Sequence, residues 1–286
     1  MPSTQKSIQD LNLADDFLFA KVMEDKEICR KVLEKILGVS IRNVTMPDTQ
    51  KTLDILYEGK GIRLDVYVND DKGTVYNVEM QQRSRKGSLP KRTRYYQGSI
   101  DLNLISAGED YEKLRKSFVI FICTFDPFSD GRHVYTFENR CRENPSLVLG
   151  DETVKILLNT RGKLDDADEG LLELLAYVED TTDDFAGRAA DPLIREIQTH
   201  VNKIKLSKEL EVDYMTLLQR EREIRKEGRE EGREEGRKEG MAHGEAKMII
   251  RLYNNGYSLE QIAAVAEKSV EEIRQIVLTQ NESSSF

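Results

Sequence analysis

Two carboxylates fall where strand-like segments would ordinarily be apolar: Asp65 within "IRLDVYV" at 62–68, and Glu79 within "TVYNVEMQQ" at 74–82. Strand alternation puts Asp65 on one face with Arg63 and Tyr67, opposite Leu64, Val66 and Val68. It gives Val75, Asn77, Glu79 and Gln81 a common face on the second segment. The intervening "NDDKG" at 69–73 is turn chemistry, so the two segments read as a hairpin. Pairing Val68 with Thr74 sets Asp65 across from Asn77 and diagonal to Glu79. Such diagonals lie about 7–8 Å apart at the backbone and less at the side chains. One divalent ion bridges that gap with oxygen ligands. Mg²⁺ suits it, because it takes one or two carboxylates together with waters and phosphate oxygens. Gln81, two residues beyond Glu79 on the same face, lies within reach of a water on that ion. Its amide can orient a water by hydrogen bonding but carries no charge. Alternation fits equally an exposed hairpin face on which Arg63 pairs with Glu79, and leaves the two readings open.

The surrounding charge favours a phosphate-bearing ligand. The chain of 286 residues has a net charge of −9, which argues against a general polyanion coat. Between Met80 and Ile100, however, six residues are basic (Arg83, Arg85, Lys86, Lys91, Arg92, Arg94) and none is acidic. His133, His200 and His243 are isolated, so neither a histidine metal site nor a histidine triad is supported. Cys29, Cys123 and Cys141 are too widely spaced for a metal knuckle and read as buried free thiols. No apolar run reaches the roughly 18 residues of a membrane span, and "MPSTQKSIQDLNLADD" has no secretory apolar core. The expected location is cytoplasmic.

The elements that must position these residues follow from periodicity. A helix capped by Asp15 or Asp16 is expected to run to about Leu37, with the stripe Ile28/Cys29, Val32/Leu33, Ile36/Leu37 and Gly38 at its end. Strand-like runs follow at 53–57, 62–68 and 74–82, then a helix over 89–107. The run "SFVIFICTF" at 117–125 suits a central strand buried on both faces. Weaker strands are expected at 133–137 and 153–158, and helices at 169–179 and from Pro192 onward. This order is that of an α/β fold around a mixed central sheet flanked by helices. The sequence divides into residues 1–182, a helical extension over 183–244, and a small helix-turn-helix-like module over 245–286. Within the extension, Gly228, Gly232, Gly236, Gly240 and Gly244 recur every fourth residue. From Arg220 to Glu239 there are eight basic and eight acidic side chains, so this is no basic arm for nucleic acid. The segment reads either as a helix that pairs closely through its glycines, as in a homo-oligomer, or as a solvated linker. The last module, with "LEQIAAVAEK" as its second helix, has few side chains to reach bases.

In order along the chain, "DDFLFAKVMED", "VLEKILG", "IRLDVYV", "YNVEMQ", "KRTRYYQGSIDL", "GEDYEKL" and "SFVIFICTFDPF" resemble the PD-(D/E)XK nuclease family transposases, also called recombination-promoting nucleases. "RLDVYV…NVEMQ" is similar to the Asp…Glu-x-Lys core of that superfamily, in the variant with glutamine at the lysine position. The resemblance implies a restriction-endonuclease-like core followed by a helical C-terminal extension. It implies a Mg²⁺-dependent DNA endonuclease, other divalent ions fitting the same ligands, linked to recombination or mobile-element transfer. By carry-over, Asp65, Glu79 and the Met80 backbone carbonyl hold the metal, and Gln81 stands for the nucleophile-positioning lysine. Asp16 is the auxiliary acid. Arg92 and Tyr96 line the phosphate track, while Arg83, Arg85 and Lys86 make backbone contacts to DNA. One departure is "FLFAK", where alanine follows the second phenylalanine and the lysine comes only at Lys21. A non-catalytic DNA-binding or oligomerising protein that keeps the fold is the alternative.

Overall fold

Strands β4 (Val66–Asp70) and β5 (Val75–Gln81) form the expected hairpin, closed by Asp71, Lys72 and Gly73. The computed structural model describes residues 6–45, 52–53, 62–63, 65–82, 88–106 and 108–283. By their contacts, Met1–Tyr214 and Met215–Phe286 form two compact units.

In the first unit the other strands are β1 (Val44–Thr45), β2 (Thr52–Leu53), β3 (Ile62–Arg63), β6 (Ser117–Cys123), β7 (Val134–Phe137) and β8 (Thr153–Asn159). A mixed sheet runs in the order β1-β4-β5-β6-β8-β7, and β2 pairs with β3 in a separate ribbon. β6 lies parallel to both β5 and β8; the β4–β5 and β7–β8 pairs are antiparallel. The apolar run at 117–125 is thus the central strand expected of it, with Val119 to Cys123 all buried. The strand read over 62–68 is divided at Asp65, because its first residues join β2 and only the residues from Val66 onward join the main sheet. Most of the run at 53–57 lies outside the described residues.

The expected single N-terminal helix is two helices, α1 (Asp16–Met23) and α2 (Lys26–Leu37). Asp25 breaks it, accepting from the Glu27 and Ile28 amides at 3.0 and 3.1 Å as the N-cap of α2. Gly38 closes α2 at φ +63°, as its position suggested. Helix α3 spans Leu89–Leu104, with α4 at Glu169–Glu179, α5 at Asp183–Arg188 and α6 at Pro192–Leu206. One sheet face packs under α3, where Leu89, Tyr96 and Ile100 meet Val75, Val119 and Phe121. The opposite face is covered by α1, α2, α4 and α6: Phe19, Val32, Leu174 and Ile197 converge on Ile122 and Leu158. Each such side chain contributes about 1.5–3 kcal/mol through burial. Cys29 and Cys123 are buried free thiols, but Cys141 is only half-buried, its sulfur lying beside Glu143.

Helix α7 (Lys208–Asn254) runs unbroken through the glycine repeat. The expected pairs Glu221–Arg225 and Glu234–Lys238 are present at 2.8 and 3.3 Å. A Cβ built on any of the five repeat glycines would meet no heavy atom within 4 Å. In the second unit, Ile249 near the end of α7 packs with Ile262 of α8 (Leu259–Ala266) and Ile273 and Val277 of α9 (Val270–Ser283). The Ser258 cap of α8 is reciprocated by Gln261. Among the described residues, no helix is long and apolar enough to cross a membrane.

Candidate active site

The β4–β5 register brings the two carboxylates closer than the sequence suggested. Val66 pairs with Val78 and Tyr67 with Asn77, so the same register carried back one residue sets Asp65 opposite Glu79, not opposite Asn77. The cause is the turn. Asn69 and Asp70 belong to β4, and the Asp70 amide donates to Thr74 O at 3.0 Å. The Asp70 carboxylate accepts from the Lys72 and Thr74 amides and from the Tyr76 hydroxyl, at 2.9, 2.8 and 2.8 Å. Gly73 completes the short loop at φ +80°, a conformation that favours glycine.

Asp65 sits at the bend between β3 and β4. Its amide donates to Glu79 Oε1 at 3.1 Å, and its Oδ2 accepts from the Met80 amide at 3.1 Å. Glu79 therefore holds the backbone of Asp65, and Asp65 holds the backbone of Met80, the residue after Glu79. Glu79 is 3% exposed and Asn77 fully buried; oriented nitrogen-inward, the Asn77 amide donates to Val66 O and to Glu79 Oε1, both at 3.2 Å. This burial rules out the exposed hairpin face that alternation left open. The Arg63 side chain lies outside the described residues. Burial first, and the Asp65 charge second, push the Glu79 carboxyl up to about 8.

The charged group above Glu79 comes from α3. Because Val75, Asn77, Glu79 and Gln81 share the face under that helix, Arg92 and Tyr96, one turn apart, stand over them. Arg92 Nη2 lies 3.8 Å from Glu79 Oε2 and donates to the Tyr96 hydroxyl at 3.0 Å. Its Nη1 donates to Gln81 Oε1. The guanidinium carbon is 5.2 Å from the Phe121 ring centre and 5.4 Å from that of Tyr96. Tyr96 is itself buried against Phe121, and its phenol is pushed up to about 12, by burial first and then by Glu79.

Asp65, Glu79, Gln81, Arg92 and Tyr96 thus converge, with Met80 between Glu79 and Gln81 on β5. Asp16 is exposed in the first turn of α1. It is its neighbour Asp15 that touches the end of β5: Gln82 Nε2 donates to Ala14 O and Asp15 Oδ1, at 2.6 and 3.2 Å. Arg83, Arg85 and Lys86 lie outside the described residues. Asn77 and Phe121 do not stand out as site residues in the sequence, although an asparagine between Tyr76 and Val78 in an otherwise apolar stretch of strand is itself a signal of a polar partner. Among the described residues, no group of three or more His, Cys, Asp or Glu is placed to hold a metal. Two carboxylates beside a backbone carbonyl still match Mg²⁺, which fills its remaining positions with water and phosphate oxygens.

A mixed sheet flanked by helices, with paired acids on an Asp…Glu-x-Gln hairpin, defines a nuclease-type domain. Residues 14–144, a little under half of the chain, match the family model of the PD-(D/E)XK nuclease family transposases, and this part of the chain is similar to that family. Searches of curated proteins and of solved structures return no match to the chain.

Proposed function

We propose that the protein is a divalent-metal-dependent DNA endonuclease that hydrolyses phosphodiester bonds. The observation that carries this reading is the pairing of the Asp65 and Glu79 carboxylates, one on the Met80 amide and the other on the Asp65 amide, under Arg92. Asp65, Glu79 and the Met80 carbonyl would hold the metal, Mg²⁺ first, which when bound supplies Lewis-acid charge at the scissile phosphate. Gln81 orients the attacking water by hydrogen bonding; water adds to phosphorus as one P–O ester bond breaks. Asp16 serves as an auxiliary acid. Arg92, Tyr96, Arg83, Arg85 and Lys86 carry the DNA backbone, so binding weakens steeply with salt. The cellular roles that match are recombination or mobile-element transfer in the cytoplasm, with self-association through the α7 glycines and the C-terminal module.

Supercoiled plasmid incubated with Mg²⁺ tests the reading. Nicking that stops with EDTA and is absent from Asp65→Ala and Glu79→Ala preparations is expected; equal cutting by those variants refutes it. A second reading, a DNA-binding protein that keeps the fold without the chemistry, is favoured by Gln81, which lacks the charge of a lysine. DNA binding in EDTA with no cleavage under any divalent ion selects it.

A further inference from the structure

We propose that Arg92 is the catalytic cation of this site, delivering from α3 the positive charge that position 81 lacks, and that it positions Gln81. The inference rests on the nuclease reading and adds to it. An uncharged residue at position 81 leaves the developing charge on a phosphate without a cation from β5. The described cation nearest that position is Arg92, whose Nη1 donates directly to Gln81 Oε1 and whose Nη2 lies 3.8 Å from Glu79 Oε2.

The geometry is that of a fixed charge rather than a trailing surface arginine. The Tyr96 hydroxyl takes one hydrogen bond at 3.0 Å, and the guanidinium lies over the adjoining rings of Phe121 and Tyr96. The side chain remains 36% exposed, so a ligand can meet it. A guanidinium has five donors in a planar fork and acts as a permanent cation. Arg92 thus stabilises charge without serving as a base, as a preorganised donor does in a partly dry site. Its bond to Gln81 also orients that amide. With the oxygen turned to Arg92, the NH₂ lies on the opposite edge and serves as a donor. Gln81 is a positioning residue in this arrangement, and Arg92 is the group that meets the phosphate.

The proposal separates from a mere phosphate track or a packing role by the direction of three readouts. A positive charge beside Glu79 opposes a metal ion, so its removal leaves Mg²⁺ binding equal or tighter while cleavage falls. The experiment uses full-length Arg92→Gln and Arg92→Lys, with Asp65→Ala as control. Mg²⁺ affinity is measured by calorimetry without DNA, and kcat and KM on plasmid at saturating Mg²⁺. Expected for Arg92→Gln are a kcat lower by about 100-fold or more, a KM for DNA within about threefold, and a Mg²⁺ Kd no weaker than wild type. Arg92→Lys recovers part of kcat. If wild type cuts and Asp65→Ala does not, but Arg92→Gln retains kcat within about threefold, the Arg92 assignment alone falls. A kcat loss that comes with weaker Mg²⁺ binding, or that Arg92→Lys does not relieve, assigns Arg92 to packing and overturns it. If wild type cuts under no divalent ion, the nuclease reading fails, and the catalytic role of Arg92 with it.

Discussion

At Glu79, a carboxylate is held beside a second carboxylate in a buried setting, and the consequence is a proton carried in the metal-free protein. Its folded pKa of about 8 stands above the ordinary 4.5. The folded state therefore binds this proton more tightly than the unfolded chain does. The stability it contributes is present in full at and below 4.5 and is lost as pH rises toward about 8. Melting temperatures of the metal-free protein are expected to fall over that window, and Glu79→Gln to flatten the fall. Mg²⁺ favours the ionised form, so its affinity rises across the same window with release of a proton, measurable by calorimetry in buffers of different ionisation heat. A Glu79→Gln protein whose melting curve keeps the wild-type pH dependence would refute this assignment.

At the scale of elements, the β4–β5 turn sets the distance between the acids. Asp70→Ala removes the acceptor for two amides and a hydroxyl, and is expected to destabilise by about 1–3 kcal/mol in urea denaturation. Gly73→Ala forces a side chain to φ +80° and is expected to cost about 1 kcal/mol. Both should reduce Mg²⁺ affinity as well, because a looser turn frees the register; unchanged affinity would show that the acids are held without it. The hairpin also marks what the sequence could tell. Faces depend on parity alone, so the sharing of one face by Glu79, Gln81 and Tyr67 was legible. Register depends on loop length, and moving Asn69 and Asp70 into β4 changed Asp65's partner from Asn77 to Glu79 without changing any face. The Asp25 break was in fact legible, because the stripe of Ile28/Cys29, Val32/Leu33 and Ile36/Leu37 meets the acids Glu24 and Asp25 one period earlier, where Asp25 caps the second helix. Arg92 stood out as a basic residue, but its seat on Phe121 arises from the crossing of α3 over β6, which local periodicity does not encode.

Over the whole molecule, residues 14–144 account for the nuclease-type domain, and the C-terminal helices remain outside that match. Five glycines on α7 face open space, each less favourable than alanine by about 1 kcal/mol in a helix. If self-association uses that face, replacing the five with alanine in the full-length chain raises helix stability and lowers the sedimentation coefficient to the monomer value. An unchanged coefficient with raised thermal stability assigns the face to solvent. The sheet topology bears further on how the chain reaches its native state. The β4–β5 hairpin closes through a short local loop, and such hairpins form in about 1–10 μs. The parallel pairs β5–β6 and β6–β8 require intervening helices or strands to be placed first, which is slow, non-local pairing. Asp65 and Glu79 are therefore expected to meet early in folding, before the layers that bury them assemble. Gly73→Ala should therefore slow refolding, whereas Ile156→Val on β8 should mainly hasten unfolding.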